Sequence, residues 1–261
     1  MLNQIAQLGD LTLKRFNNTA SVVKFALSVF WHAFLPQSYH PAMRMVLVKQ
    51  IYFTAVQVLP VFIFIAFIFG SIIIGSVILL ASELGVLNEI GSILVYFIFN
   101  EFSPFFTALL VALRSGAAVN SEIALMHVNY ELNALQTYKI DPIDYLFLPR
   151  ILSGVISVTG LAIVFSVIML VSGYVFSVFF LQMELISYLR ILLNAVSLDN
   201  ILMLLLKSMT FGFFIMLLPI HSGLKTGSCY SDIPVAVLKG MVSLFVALFV
   251  IEAVSLLIWL V

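Results

Sequence analysis

Residues 50–82 read "QIYFTAVQVLPVFIFIAFIFGSIIIGSVILLAS", 33 residues without one charge. At 1.5 Å per residue such a helix is about 50 Å long, well beyond the ~20 residues that a bilayer core requires. Residues 151–183 form a second charge-free run of the same length. The whole chain agrees: of 261 residues 63% are hydrophobic and 9% charged, with a mean hydropathy of +1.19. A soluble domain carries about 25% charged residues. The fold class expected is therefore an all-α integral membrane protein.

Both runs are long enough that they must tilt, kink or project. Pro60 supplies a kink in the first because it has no amide hydrogen for the helix ladder. Gly154, Gly160 and Gly173 allow close helix packing in the second. Five spans are expected, at about 50–82, 90–118, 150–180, 200–221 and 236–260, in one domain covering 1–261. Small residues at Ala108, Ala112 and Gly116, and in the pairs Ala66/Gly70 and Ser71/Gly75, suit close helix contact, the former within the chain or against a second copy.

Basic residues favour the cytoplasmic side. Lys14, Arg15, Lys24, Arg44 and Lys49 precede the first span, Arg114, Lys139 and Arg150 bracket the loop between spans two and three, and Lys225 and Lys239 separate spans four and five. Only Arg190 and Lys207 of the twelve fall elsewhere. This asymmetry predicts a cytoplasmic N-terminus and an external C-terminus. Equal numbers of acids and bases give no net charge and no reason to expect a nucleic-acid partner. A lone Cys229 rules out an internal disulfide framework.

Ahead of the first span, residues 18–40 contain only a short apolar run. Lys24, Ser28 and His32 make a polar stripe at i, i+4, i+8, which suits an amphipathic helix lying in the headgroup plane rather than a sixth span. No small-residue cleavage site follows, against a signal peptide.

Between spans two and three lies a soluble-looking segment, 120–142. Good helix formers from Glu122 to Lys139, with Leu125, Val128, Leu132 and Leu135 at helical spacing, predict one amphipathic cytoplasmic helix. Asp141 can cap the next helix and Pro142 can occupy its first turn. Such a helix is either a solvated connector or a docking element.

Within the spans, ionisable groups are expensive and mark function or helix pairing. Counting inward from the outer ends puts Lys207, Glu252 and Glu101 at one depth, and Lys207 is expected to pair with one of the two acids. A structural ion pair is the plain alternative to a substrate contact.

Residues 100–150, "NEFSPFFTALLVALRSGAAVNSEIALMHVNYELNALQTYKIDPIDYLFLPR", resemble the signature region of the MlaE/YrbE family of ABC-transporter permeases. The resemblance rests on Glu101 and Pro104, Thr107 to Ala112, Arg114 and Gly116, Glu122, Met126, Ala134 and Leu135, Asp141 and Pro142, Tyr145-Leu146 and Pro149-Arg150. This chain departs from the family pattern with Asn100 for an Arg, Leu113 for a Gly, and Tyr130-Glu131-Leu132-Asn133 for Glu-Gln-x-Asp.

The resemblance implies a homodimer in the bacterial inner membrane, with its C-terminus periplasmic. Each copy would present a coupling helix to a cytoplasmic ABC ATPase subunit through Glu122, Tyr130, Glu131, Asn133, Ala134, Leu135, Asp141 and Pro142. A lipid pocket would open toward a periplasmic MCE-domain protein and pass phospholipid, contributing to outer-membrane lipid homeostasis. Asn100, Glu101, Phe102, Phe105, Lys207 and Glu252 are the candidate pocket residues. A small STAS-domain subunit is a further partner the family implies. No catalytic residue, metal site or cofactor is expected in this chain. ATP and Mg would sit on the partner, since "GLKTGS" at 223–228 lacks the phosphate-loop spacing.

Other classes fit less well. The four histidines sit at or beyond span ends, which argues against axial haem ligation. No internal repeat with matching broken helices suggests a self-sufficient secondary transporter. No Ser–His pair lies in a span to make an intramembrane enzyme. The remaining alternative is a non-transporting membrane scaffold that docks a cytoplasmic protein through 122–139.

Overall fold

The computed structural model describes residues 20–260 apart from Val86 and Met183. Lys14, Arg15 and the first two residues of the expected interfacial segment lie outside the described residues. Among those described, every regular element is helical: α1 (Ala20–Ala33), α2 (Pro41–Thr54), α3 (Leu59–Leu84), α4 (Leu87–Tyr96), α5 (Ser103–Val111), α6 (Ala117–Val128), α7 (Glu131–Thr137), α8 (Leu148–Leu181), α9 (Leu185–Ala195), α10 (Leu198–Gly223) and α11 (Ile233–Leu260). Among the described residues five stretches are long and apolar enough to cross a membrane: Pro41–Ala81, Gly91–Val128, Ile143–Phe180, Leu198–Gly223 and Tyr230–Ile258.

The first span is broken where its proline demands it. A 3₁₀ turn at Val56–Val58 separates α2 from α3, and Pro60 sits in the first turn of α3. There its missing amide leaves no ladder bond unmade. The second span is continuous from α4 to α6 but is loosened twice by π-helical segments, Phe97–Phe102 and Ala112–Gly116. A third, Ile143–Phe147, starts the α8 span. Such wide turns cost hydrogen-bond geometry and often occur where a side chain must be re-aimed.

α8 is the central post, packed along α3, α10 and α2. Between lipid-soluble helices the hydrophobic effect provides no driving force, so backbone approach and dispersion have to hold the bundle. Gly154 of α8 and Gly212 of α10 meet backbone to backbone: a Cβ on Gly212 would stand 2.6 Å from the Gly154 carbonyl oxygen. Gly70 of α3 presses on Met169 and Ser172 of α8. Gly160 is a correction to the sequence reading, because it faces open space and closes no contact. Ala108 and Ala112 are fully buried and Gly116 abuts Leu244 and Ile215, so this stripe of small residues is used inside the chain, against α10 and α11.

α1 has 14 residues, about 21 Å, too short to span. Val29 is buried and Phe25 meets the Phe147 ring edge-on at 5.8 Å, while Leu27, Phe30, Trp31 and Phe34 stay exposed. That two-sided character fits a helix between bundle and lipid. α9, unforeseen from sequence, is a second short apolar helix at the opposite end. It packs on α4, where Gly91 meets Ile191, and ties to α8 through Tyr188, whose hydroxyl donates to the Leu170 carbonyl at 2.8 Å.

The segment 122–139 also differs from expectation. It is two helices, since α6 simply prolongs the second span to Val128 and α7 begins at Glu131. Tyr130 between them adopts a left-handed conformation, φ 59°, which stops the first helix and turns the chain. Asp141 then accepts a hydrogen bond from the Ile143 amide at 2.9 Å, and helix restarts at Pro142.

Candidate functional site

Two polar centres stand out, one inside the spans and one at the basic end. The first is organised by Lys207 on α10, whose side chain is 3% exposed. Its ammonium donates to Glu101 Oε2 at 2.7 Å and to the Asn100 carbonyl at 2.7 Å, and lies 3.0 Å from Glu252 Oε2. Lys207 therefore bridges both acids, where the sequence reading expected one. The π-helical turn at 97–102 explains how: α4 and α5 form one rod, and the widened turn carries both Asn100 and Glu101 toward α10, while Pro104, four residues on, has no amide hydrogen to offer the Asn100 carbonyl. Asn100 donates its amide to Asn200 Oδ1 at 3.0 Å, pinning the first turn of α10. Ser197 caps that turn by accepting from the Asn200 amide. Tyr96 adjoins Glu101.

A single charge at the membrane centre costs about 2.5–3.5 kcal/mol on insertion scales, so grouping three lowers the penalty of each. Two carboxyls sharing one ammonium leave polar capacity unspent. Asn100 Oδ1 is buried without a donor among the described residues. The cluster can thus hold a zwitterionic or cationic group as well as tie helices together.

Its aromatic neighbours divide. Phe105 meets Phe249 of α11 at 5.4 Å, on the same side as Glu252. Phe102 stacks on Phe106 at 5.2 Å and reaches Phe69 of α3 and Phe165 of α8, so its ring belongs to the packing between those helices. α11 is the least buried of the five spanning helices, with Val246, Phe249, Val250 and Val254 exposed.

At the basic end, Tyr130, Glu131, Asn133 and Ala134 are exposed, while Leu132 is buried and Leu135 half-buried against the bundle. α7 therefore offers a short polar ledge supported from below by leucines. Glu122 is differently used, being hydrogen-bonded to the buried Arg150 guanidinium. Asp141 serves the Ile143 cap and lies 3.8 Å from His32 on α1, whose other ring nitrogen donates to the Ser28 carbonyl. His32, Asp141 and Asp144 bring one ligand-capable atom each within 4.8 Å, an arrangement common among acidic surface groups, and we assign no metal to it.

Sequence reasoning missed further polar ties at this end. Ser21 of α1 hydrogen-bonds His221 at 3.0 Å and accepts from Lys225 at 2.7 Å. Burial holds the Lys225 ammonium pKa below its ordinary value. A cavity of about 790 Å³ lies beside these groups, between α1, α10 and α11. Nothing in the local pattern signals contacts between residues 200 positions apart.

Comparison with known proteins places the chain. The family described as Permease MlaE matches residues 47–258. A probable ABC transporter permease protein of Rickettsia typhi is 32% identical over 146 residues, 56% of each chain, so the aligned part spans little more than half of that relative. A probable ABC transporter permease protein of Rickettsia felis is 26% identical over 227 residues, 87% of this chain and 86% of the other. The intermembrane phospholipid transport system permease protein MlaE of Haemophilus influenzae is 28% identical over 151 residues, 58% of each. With its five apolar spans and a match running through all of them, this chain belongs to the MlaE permease family.

Proposed function

We propose that this chain is the membrane subunit of an ABC transporter that moves phospholipid between the inner membrane and a periplasmic MCE-domain protein. The observation that carries the reading is the family match over residues 47–258. The name of the Haemophilus relative, an intermembrane phospholipid transport system permease protein, supports the lipid cargo. ATP hydrolysis then belongs to a separate cytoplasmic subunit, which docks on the exposed ledge Tyr130, Glu131, Asn133 and Ala134.

In this reading the basic end faces the cytoplasm and the C-terminus the periplasm, as the positive-inside bias favours. Two copies pair, and the exposed face of α11 is the surface best suited to line the space between them. Glu101, Lys207 and Glu252 sit beside that face. A phospholipid headgroup entering there exchanges its ammonium or phosphate for one member of the cluster, while Phe105 and Phe249 receive acyl chain. A small STAS-domain subunit is a compatible addition at the cytoplasmic end.

The test is reconstitution with the ATPase and MCE subunits in proteoliposomes, following ATP-dependent transfer of labelled phospholipid. Glu101→Gln keeps a hydrogen-bond acceptor for Lys207 and removes the charge. Transfer should fall about tenfold, the effect of losing one charged contact, with ATPase assembly intact. ATPase binding without any ATP-dependent lipid movement, in the unaltered protein, would favour the scaffold instead.

A further inference from the structure

Three cations from three separate helical segments converge on one cleft at the basic end, away from the Lys207 cluster. Lys49 of α2, Arg114 of the π segment 112–116 and Arg150 of α8 line a cavity of about 610 Å³, with Val46 and Phe53 forming an apolar wall. Glu122 is the single carboxylate in the lining, so the cations exceed the anions by two. That carboxylate is half-exposed and engages Arg150 through one terminal nitrogen only.

Arg150 is 2% exposed, and its Nε and Nη1 are buried without a hydrogen-bond partner among the described residues. Buried guanidinium donors are rarely left unspent, because each forfeits its hydration without compensation. Lys49 and Arg114 are exposed and have no carboxylate within ion-pair distance among the described residues. Unmatched cations over a guanidinium floor, walled by apolar side chains at a span end, select a phosphate group carried on an apolar body.

We propose that this cleft binds the phosphate of an anionic phospholipid headgroup from the leaflet at the basic end. Lys49 and Arg114 make the outer contacts, and Arg150 supplies the positive floor held in place by Glu122. The site is a second lipid site in the chain and stands whether or not the Lys207 cluster contacts cargo. Free phosphate offers the same chemistry from solution, and the experiment separates the two sources.

The purified chain, with whatever subunits accompany it in detergent, is titrated with dihexanoyl phosphatidylglycerol, dihexanoyl phosphatidylcholine or inorganic phosphate. The thermal midpoint is read against ligand concentration to give an apparent affinity. Phosphatidylglycerol should raise the midpoint more than phosphatidylcholine, and the double variant Lys49→Gln, Arg114→Gln should weaken its affinity at least about tenfold. If that variant does not fold, Lys49→Gln alone carries the test with a smaller loss. An equal response to inorganic phosphate, also lost in the variant, keeps the anion site and makes solution phosphate its occupant. Equal responses to both lipids, or a response unchanged by the substitutions, overturn the proposal. So does protection of Lys49 from amine-reactive labelling by a bound protein subunit but not by lipid.

Discussion

Lys207 donates to Glu101 at 2.7 Å although the two residues lie on different spanning helices, and the same ammonium sits 3.0 Å from Glu252 on a third. One cation thus ties the second, fourth and fifth spans at one depth. Removing it strands two carboxyls in a low-dielectric interior. Lys207→Met should lower stability by about 3–5 kcal/mol, as measured for broken buried pairs. Unfolding in mixed micelles, followed by circular dichroism, checks this. Adding Glu101→Gln and Glu252→Gln to the same chain should restore most of the loss; a triple variant as unstable as the single one would show that the ammonium acts through packing alone.

The crossing of α8 and α10 depends on two glycines in backbone contact. Gly212→Leu would force a side chain into the Gly154 carbonyl and separate the helices. Loss of monodisperse protein in size-exclusion chromatography is the expected outcome. Gly160→Ala on the same α8 helix should be tolerated, since nothing lies within 4 Å of its Cβ position.

Tyr130 occupies the left-handed region at φ 59°, which costs a non-glycine residue about 1–2 kcal/mol. Tyr130→Gly should therefore leave the chain as stable or raise its midpoint, whereas Tyr130→Ile should lower it. A ranking in the opposite order by thermal unfolding would mean that the Tyr130 ring makes a contact stronger than the backbone strain.

Ala134 is exposed on α7 beside Asn133 and above the buried Leu132. On the proposed function, Ala134→Arg fills the docking surface without touching the bundle. Co-purification of the ATPase subunit should drop at least about tenfold, the scale of one disrupted interface contact, with an unchanged melting profile for the chain. Retained co-purification would move the docking site off α7.

Several features were legible in the sequence for simple reasons. Residues 50–82 and 151–183 announce membrane helices because length and absence of charge suffice for that inference. Pro60 marks a break because proline chemistry is local. The common depth of Lys207, Glu101 and Glu252 could be counted at a fixed rise per residue. By contrast, Glu122 to Lys139 looked like one helix because nothing in its propensities marks Tyr130 as left-handed. That conformation is held by the burial of Leu132, on α7, against the bundle, a tertiary contact.

By itself, then, the sequence determined the solvent, the number of crossings, the basic end and the family signature, since each depends on composition, spacing or local chemistry. Only the tertiary structure decided that Lys207 bridges both acids, that Arg150 is buried with two donors unspent among the described residues, and that Lys49, Arg114 and Arg150 share a cleft. The physical reason is helix rotation. Axial position follows from a 1.5 Å rise, but which way a side chain points round the axis is set by packing, by the glycine crossings and by the π-helical turns at 97–102 and 112–116, each of which shifts the register of everything beyond it.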